Sequence, residues 1–578
     1  MPYKSGEIGK IPANYTDSAT HNKRWEAHRD RSADDQFSRC KESGIPQRLT
    51  ASVRHPIIFG RSTHKAKPLP FLNPRFQGEF ALLRPLTYQR LTPTRPPVLA
   101  SMDKPKPSVP FGHAMRDVHF NFDKGYLPLN HGSFGTFPKV VRDRQRELQD
   151  LMEARPDTYL RYTYLELLEE SRKAIAPLLG VSMDEVVFIP NATTGVNTIL
   201  RNLVYQKGDV ILHFGTVYGA CEKTIDSLCE TAQVERVCIA LDYPAEDEDI
   251  VCKFKNVVQN LKDARKNIKV AMFDTVLTFP GARFPWEELV KACKDLGILS
   301  LIDGAHGIGH IDLTNLGEVG PDFFTSNCYK YVKSYEIWYP DINSVFRWLF
   351  VPRGCAVLYV PLRNQHLMRT SLPTSWGFQP LAQREVEPRD RKAFGELFKK
   401  VSTIDPTPYV CVQEALKFRE LVCGGEAKIR KYCENIVKVG GKRMAEILRT
   451  EVMDNKTGTL HRCCFVNVRL PLTVTQGAPS YDNCVTSEHQ RELANSQSMK
   501  GSGYIREADA SKIAKWMTEK SVKEYATMIP VKFYVGQIWC RISGQIYLEL
   551  EDFEWAGYRL KEMCERVSKG EFLVEDDQ

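Results

Sequence analysis

At 578 residues the chain is long enough for two or more domains with sizeable cores, and its apolar share of 42% is ordinary for a globular protein. The net charge of +8 does not mark a nucleic-acid binder: residues 1–101 hold 17 Lys and Arg against 8 Asp and Glu, and the remaining 477 residues hold 62 against 63, so the excess belongs to a leader rather than to a folded face. No apolar run spans a bilayer and no secretory pattern follows Met1, which predicts a cytoplasmic protein with no membrane partner; the 16 cysteines include no C-x-x-C pair, so no metal site or disulfide framework is indicated.

Residues 1–110 are rich in Pro, Arg, Ser and Thr, and LTPTRPPVLASMDKPKPSVP is linker-like. A disordered or untranslated leader is expected, with Met102 as an alternative start. Residues 111–180 form an N-terminal segment: the turn-rich YLPLNHGSFG, then a charged helical pattern from about Pro138 to Leu179. From 181 to 407, short apolar runs alternate with helical ones. Strands are predicted at 186–190, 210–214, 234–241, 269–276, 298–303, 322–327 and 355–360, with helices over 194–203, 220–230, 251–264 and 286–296. This alternation implies an α/β fold, a mostly parallel sheet covered on both faces, with ligands bound beyond the strands' carboxyl ends. Residues 408–578 read as a smaller α+β domain. Its helices are predicted at 412–421, 427–448 and 551–567, its strands near 463–470 and 530–534, and a polar loop over 476–505.

Four strand-end features carry the chemistry. NATTGVN (191–197) follows a strand and opens a helix, so free N–H groups and the hydroxyls of Thr193 and Thr194 could cradle a phosphate; an ordinary helix cap is the alternative. LIDGAHGIGH (301–310) places Asp303 at the end of a buried strand, where a carboxylate needs a cation such as a pyridinium, with His306 close by; turn N–H groups could satisfy it instead. Lys330, flanked by Asn327 and Tyr329, ends the next strand and is either a Schiff-base nucleophile or a surface lysine. Tyr218 follows the 210–214 strand and could stack on a ring, donate a proton or simply pack the core.

A phosphate cradle, a strand-end Asp with a nearby His, then a strand-end Lys, in that order, is the layout of pyridoxal phosphate (PLP) enzymes. The stretches FNFDKGYLPLNHGSFGTFP, VFIPNATTGVNTILRN, YGACEKTID, DGAHGIGHIDL, TSNCYK, WLFVPRGCAVLYVPLRNQHL and RISGQIYLELEDFEWAG resemble the class V aminotransferase-fold enzymes and, among them, the fungal hercynylcysteine sulfoxide lyases of ergothioneine biosynthesis. The resemblance implies a fold-type I PLP-dependent transferase with a mostly parallel seven-stranded sheet. It makes Lys330 the cofactor lysine, Asp303 the pyridinium partner, His306 the residue beside the ring, and Thr193 and Thr194 the phosphate cradle. Arg541 falls where the family binds the substrate carboxylate, and Asn130 and His131 fall in a substrate-facing loop. Tyr218 and Cys238 fall where proton delivery around the leaving sulfur is placed, although Cys238 lies mid-strand and could be a buried core cysteine. Thr403 matches a residue that reaches the neighbouring subunit's phosphate, implying a homodimer with shared sites.

The implied reaction is C–S cleavage of a small amino-acid substrate, hercynylcysteine sulfoxide, giving a sulfenate, pyruvate and ammonia. An isopenicillin N epimerase-like reaction or a cysteine desulfurase using Cys328 or Cys355 stays open. Two departures stand out: Tyr329 replaces the family's His, and Ser402 replaces a Gly.

The family continues almost directly from the lysine into the run beginning here at Trp348, which leaves Tyr331 to Arg347 extra. Lys-Tyr-Val can be coded AAG TAT GTA and Phe-Arg TTT AGG, which supplies an intron donor and an acceptor whose excision restores Lys-Trp in frame. A retained intron is therefore expected; if the segment is native, a non-catalytic PLP-fold protein is the alternative.

Overall fold

The computed structural model describes residues 109–328, 348–386, 392–401, 403–475 and 504–573. The leader, Tyr329, Lys330, the extra segment 331–347, Ser402 and residues 476–503 of the polar loop lie outside the described residues. Residues 504 and 505, assigned to that loop from sequence, instead belong to a short strand, Tyr504–Arg506.

The sheet expected over 181–407 has seven strands: β1 (Val186–Ile189), β2 (Val210–Phe214), β3 (Glu235–Ile239), β4 (Ile268–Asp274), β5 (Leu299–Asp303), β6 (Phe323–Asn327) and β7 (Ala356–Tyr359). Their spatial order is β1-β7-β6-β5-β4-β2-β3. Strands β3, β2, β4, β5 and β6 pair in parallel. Strand β7 pairs antiparallel with both β6 and β1, so β1 to β6 all point their carboxyl ends the same way and β7 alone is reversed. VILHF and VVFI are buried at every position, as a sheet covered on both faces requires. Edge strand β3 reads ERVCI and is mostly exposed, and its Glu235 and Arg236 blunt the unpaired edge.

Of the longer helices, α1 (Lys139–Ala154) and α2 (Tyr164–Ile175) take up the charged pattern of 138–179, which breaks at the Arg155–Pro156 step because proline removes a helix donor. Helices α3 (Ala192–Asn202), α4 (Gly219–Ala232), α5 (Asp247–Asp263) and α6 (Trp286–Leu296) alternate with the strands.

A second sheet follows. It comprises β8 (Phe465–Arg469), β11 (Val531–Tyr534) and β12 (Gln537–Ser543), antiparallel in the order β11-β12-β8, beside a short parallel pair β9 (Thr473–Thr475) and β10 (Tyr504–Arg506). Strand β12, which carries Arg541, was not predicted. Helix α7 (Glu426–Leu448) packs on β8 and on α9 (Leu550–Ser568), while α8 (Glu507–Lys523) packs on β11. The N-terminal segment is tied to this region by Gly112 N–H to the Ile546 carbonyl at 2.7 Å and Leu127 N–H to the Ala526 carbonyl at 3.1 Å. That puts the NHGSFG loop against β12, where Ser543 N–H reaches the Leu129 carbonyl at 2.9 Å.

Among the described residues no helix is long and apolar enough to cross a membrane, and no His, Cys, Asp and Glu group could hold a metal ion.

Candidate active site

The carboxyl ends of β1, β2, β4, β5 and β6 deliver polar residues to one edge of the sheet. After β1, Asn191 caps α3: its Oδ1 accepts the Thr194 N–H at 2.7 Å and the Thr194 hydroxyl at 3.0 Å. The next free N–H, on Ala192, donates to Oδ1 of Asn327 from β6 at 2.8 Å. Asn327 thus holds the helix start beside the end of the strand that leads to Lys330. The Thr193 N–H has no partner among the described residues and stays open at the helix's positive end. Close approach of helix and strand depends on Gly195, where a Cβ would sit 2.3 Å from Thr325 Oγ1.

Asp303 ends β5 and is 2% exposed. Its Oδ1 accepts the Ala305 N–H at 2.9 Å, and the Cys221 thiol of α4 lies 3.5 Å from Oδ2. His306 follows, buried, with Nε2 3.5 Å from the Thr278 hydroxyl and with Nδ1 unpartnered among the described residues. Its ring meets Phe465 edge to face at 5.0 Å.

Arg541 is 3% exposed, and burial lowers its pKa to about 10. It donates to the Thr278 carbonyl, to Asn130 Oδ1 at 2.8 Å and to Ser133 Oγ at 3.1 Å, and lies 4.7 Å over the ring of Phe465. No carboxylate of the described residues pairs with it, and its Nε and the amide nitrogen of Asn130 are both buried without a partner there. Two glycines make room for the Phe465 ring beneath it. A Cβ on Gly281 would lie 2.8 Å from both Arg541 Cδ and Phe465 Cβ, and one on Gly132 would lie 2.2 Å from the Phe465 ring. Phe465, Thr278, Ser133, Gly281 and Cys221 were not singled out from sequence; the end of β4, followed by TFPG, was the strand end left unread.

The other predicted residues lie as follows. His131 is buried, bonds the Tyr547 hydroxyl through Nδ1 and meets Trp348 edge to face at 4.8 Å. Tyr218 is half-buried at the start of α4. Cys238 is exposed on β3, not a buried core cysteine, and β2 and β4 stand between it and the strand of Asp303. Its sulfur approaches the Gly215 turn that leads to Tyr218. Thr403 is exposed and lines a cavity of about 660 Å³ together with Thr194 and Trp376. Cys328 and Cys355 are fully buried. Tyr329 and Lys330 directly follow Cys328 and lie outside the described residues.

This arrangement fits PLP. A helix start with an open N–H and a threonine suits its phosphate, a buried strand-end carboxylate suits its pyridinium, and the orphaned His306 nitrogen suits its phenolic oxygen.

Comparison with known proteins agrees in kind. The family described as Aminotransferase class-V matches residues 135–332. The chain is 35% identical over 474 residues to the L-cysteine desulfhydrase-like protein lolT1 of Epichloe uncinata, covering 79% of this chain and 97% of that one. It is 29% identical over 456 residues to the hercynylcysteine sulfoxide lyase of Schizosaccharomyces pombe, covering 78% and 98%. A solved cystine C–S lyase bound to cysteine persulfide superposes with a TM-score of 0.56 at 13% identity, covering 76% of this chain and 98% of that one, a likeness of fold.

Proposed function

The chain belongs to the class-V aminotransferase family and is a PLP-dependent carbon–sulfur lyase, and from that premise we propose that it cleaves hercynylcysteine sulfoxide. The reaction would take the sulfoxide and one water to a sulfenic acid on the imidazole, pyruvate and ammonium. When bound, PLP supplies an electron sink for the Cα–H bond electrons. Arg541 carries the reading: a buried guanidinium with no carboxylate of the described residues beside it is built to receive the substrate's α-carboxylate.

Lys330 is assigned the proton at Cα, as general base. Asp303 is assigned to the pyridinium nitrogen, Thr193 and Thr194 to the phosphate, and His306 to the orientation of the ring. Tyr218 is assigned the proton delivered to the leaving sulfur. Cys238 is assigned a place beside that delivery, through the Gly215 turn it approaches.

A second copy of the chain is the proposed cover for the exposed rim around Thr403, where Trp376 is 94% exposed and Phe378 and Ile404 are exposed beside it. Thr403 would then reach the partner's phosphate. Desulfurase chemistry is disfavoured because Cys328 and Cys355 are buried, and that reaction needs an exposed, mobile thiol. The Epichloe relatives favour a second reading, with cysteine itself as the substrate.

Purified protein offered hercynylcysteine sulfoxide, L-cysteine and an epimerisable amino acid separates these readings. Pyruvate without sulfide, from the sulfoxide, is the expected result, and Lys330→Ala should lose both the visible PLP band and turnover. Sulfide from cysteine alone, or inversion of configuration alone, would overturn it.

A further inference from the structure

Strand β11 carries a second cation next to Arg541. Lys532 pairs across with Trp539, and Arg541 lies two residues further along β12, so the three side chains share one face of the sheet and Lys532 is the diagonal neighbour of Arg541. The Lys532 ammonium lies 5.3 Å over the ring of Phe279. Phe279 follows Thr278, whose carbonyl accepts the Arg541 bond, so the lysine sits over the residue adjoining the Arg541 anchor. Phe279 is itself held edge-on by Tyr534 at 6.0 Å, and the Tyr534 hydroxyl accepts the Tyr243 N–H at 2.9 Å.

Lys532 makes no ion pair or hydrogen bond to any of the described residues. Lys532 is an exposed residue whose ammonium lies over the Phe279 ring and is thereby partly desolvated. That desolvation first, and the charge of Arg541 second, lower its pKa, and no carboxylate offsets either. A lysine that only needed solvent would extend away from a neighbouring guanidinium, because two like charges on one sheet face repel. Two cations without an ion-pair partner among the described residues, one deep and one at the rim, are arranged for an anion at each.

We propose that Lys532 is a specificity-determining residue that receives a second, distal carboxylate of the substrate, while Arg541 receives the α-carboxylate. The substrate class is then a cysteine S-conjugate with a carboxylate on the sulfur side. This rests on the lyase reading above and deepens it, since hercynylcysteine sulfoxide carries a carboxylate at each end.

The test compares two probes that share a three-carbon S-substituent and differ in its terminal carboxylate, S-(2-carboxyethyl)-L-cysteine and S-propyl-L-cysteine, on the purified PLP-loaded chain. Dissociation constants come from the change each produces in the visible PLP band. Wild type should favour the carboxyethyl probe by about tenfold, the scale of one charge-assisted hydrogen bond. Lys532→Met should erase that preference while leaving S-propyl-L-cysteine binding unchanged, and Lys532→Arg should keep it. No preference in wild type, or a preference that survives Lys532→Met, overturns the proposal. A preference that holds while hercynylcysteine sulfoxide yields no pyruvate would instead count against the assigned substrate, so the two ideas fail separately.

Discussion

The site contains three buried histidines, and their partners set them different tasks. His131 reaches a tyrosine hydroxyl and His306 a threonine hydroxyl, groups that can either give or take a proton. His310 is different: its Nε2 lies 2.7 Å from the Cys464 backbone N–H, which can only donate. That bond fixes the neutral tautomer with the proton on Nδ1. It also holds the start of β8, and with it Phe465, whose ring lies 4.8 Å from that of His310. Full burial, then the charges of His131, Arg283 and Arg541, keep the His310 pKa well below 6.5. The unfolded chain therefore binds a proton below pH 6.5 that the folded chain refuses. Stability from this group is complete above pH 6.5 and is lost as pH falls from there toward the folded value, at up to about 1.4 kcal/mol per pH unit. His310→Gln keeps an acceptor for Cys464 without a titrating ring. Its urea midpoint should be lower at pH 7.5 and should fall less between pH 6.5 and 5 than that of wild type. Parallel curves for the two proteins would remove His310 from the account.

At the scale of elements, the candidate cofactor site lies where β6 meets α3, and the Asn327 side chain ties the two together. Asn327 uses its carbonyl oxygen to take the first helical N–H, which aligns α3 with the strand that leads to Lys330. Asn327→Ala should cost about 1 kcal/mol, as loss of a helix-end acceptor does, and raise the PLP dissociation constant roughly fivefold. Asn327→Asp keeps the acceptor but brings a negative charge toward the phosphate, so it should hold the melting temperature and release PLP more readily still. Dialysis followed by visible absorbance and thermal melts reads both; equal PLP retention in all three proteins would refute the junction. These strand-end residues were legible in the sequence because each buried apolar run stops at a polar residue, and the period of the pattern says where the run stops. The reversal of β7 was not legible, since CAVLYV has the same composition in either direction. Nor was β12, whose central Arg541 breaks the apolar pattern of QIWCRIS and is explained only by a site on another part of the chain. Cys238 could be a core residue or a site residue from its mid-strand position; the strand order puts its strand on the edge of the sheet.

For the molecule as a whole, the open matter is what joins Cys328 to Trp348. Both ends of that connection are anchored. Cys328 is buried and its N–H reaches the Cys355 carbonyl at 3.1 Å. Trp348 is buried, its ring 4.0 Å from His310 and 4.8 Å from His131, and its carbonyl accepts the Arg419 guanidinium at 2.8 Å. Without Tyr331–Arg347, Lys330 would be the second of two residues strung between fixed points, with little freedom and a narrow range of positions for its amine. With those seventeen residues present, Trp348 follows Lys330 by eighteen positions instead of one. Long insertions add little closure cost, but a catalytic amine displaced by about 1 Å can lose about 100-fold in rate. The family match ends at residue 332, two residues into the extra segment, and we propose that the segment is a retained intron. Two measurements follow from the same premise. The transcript should lack the 331–347 coding segment, and protein lacking those residues should release pyruvate about 100-fold faster than the full chain and retain PLP through dialysis. A transcript that contains the segment, together with equal turnover by the two proteins, would make the insertion a native part of the enzyme and require its tyrosines and charges to be accommodated beside a working lysine.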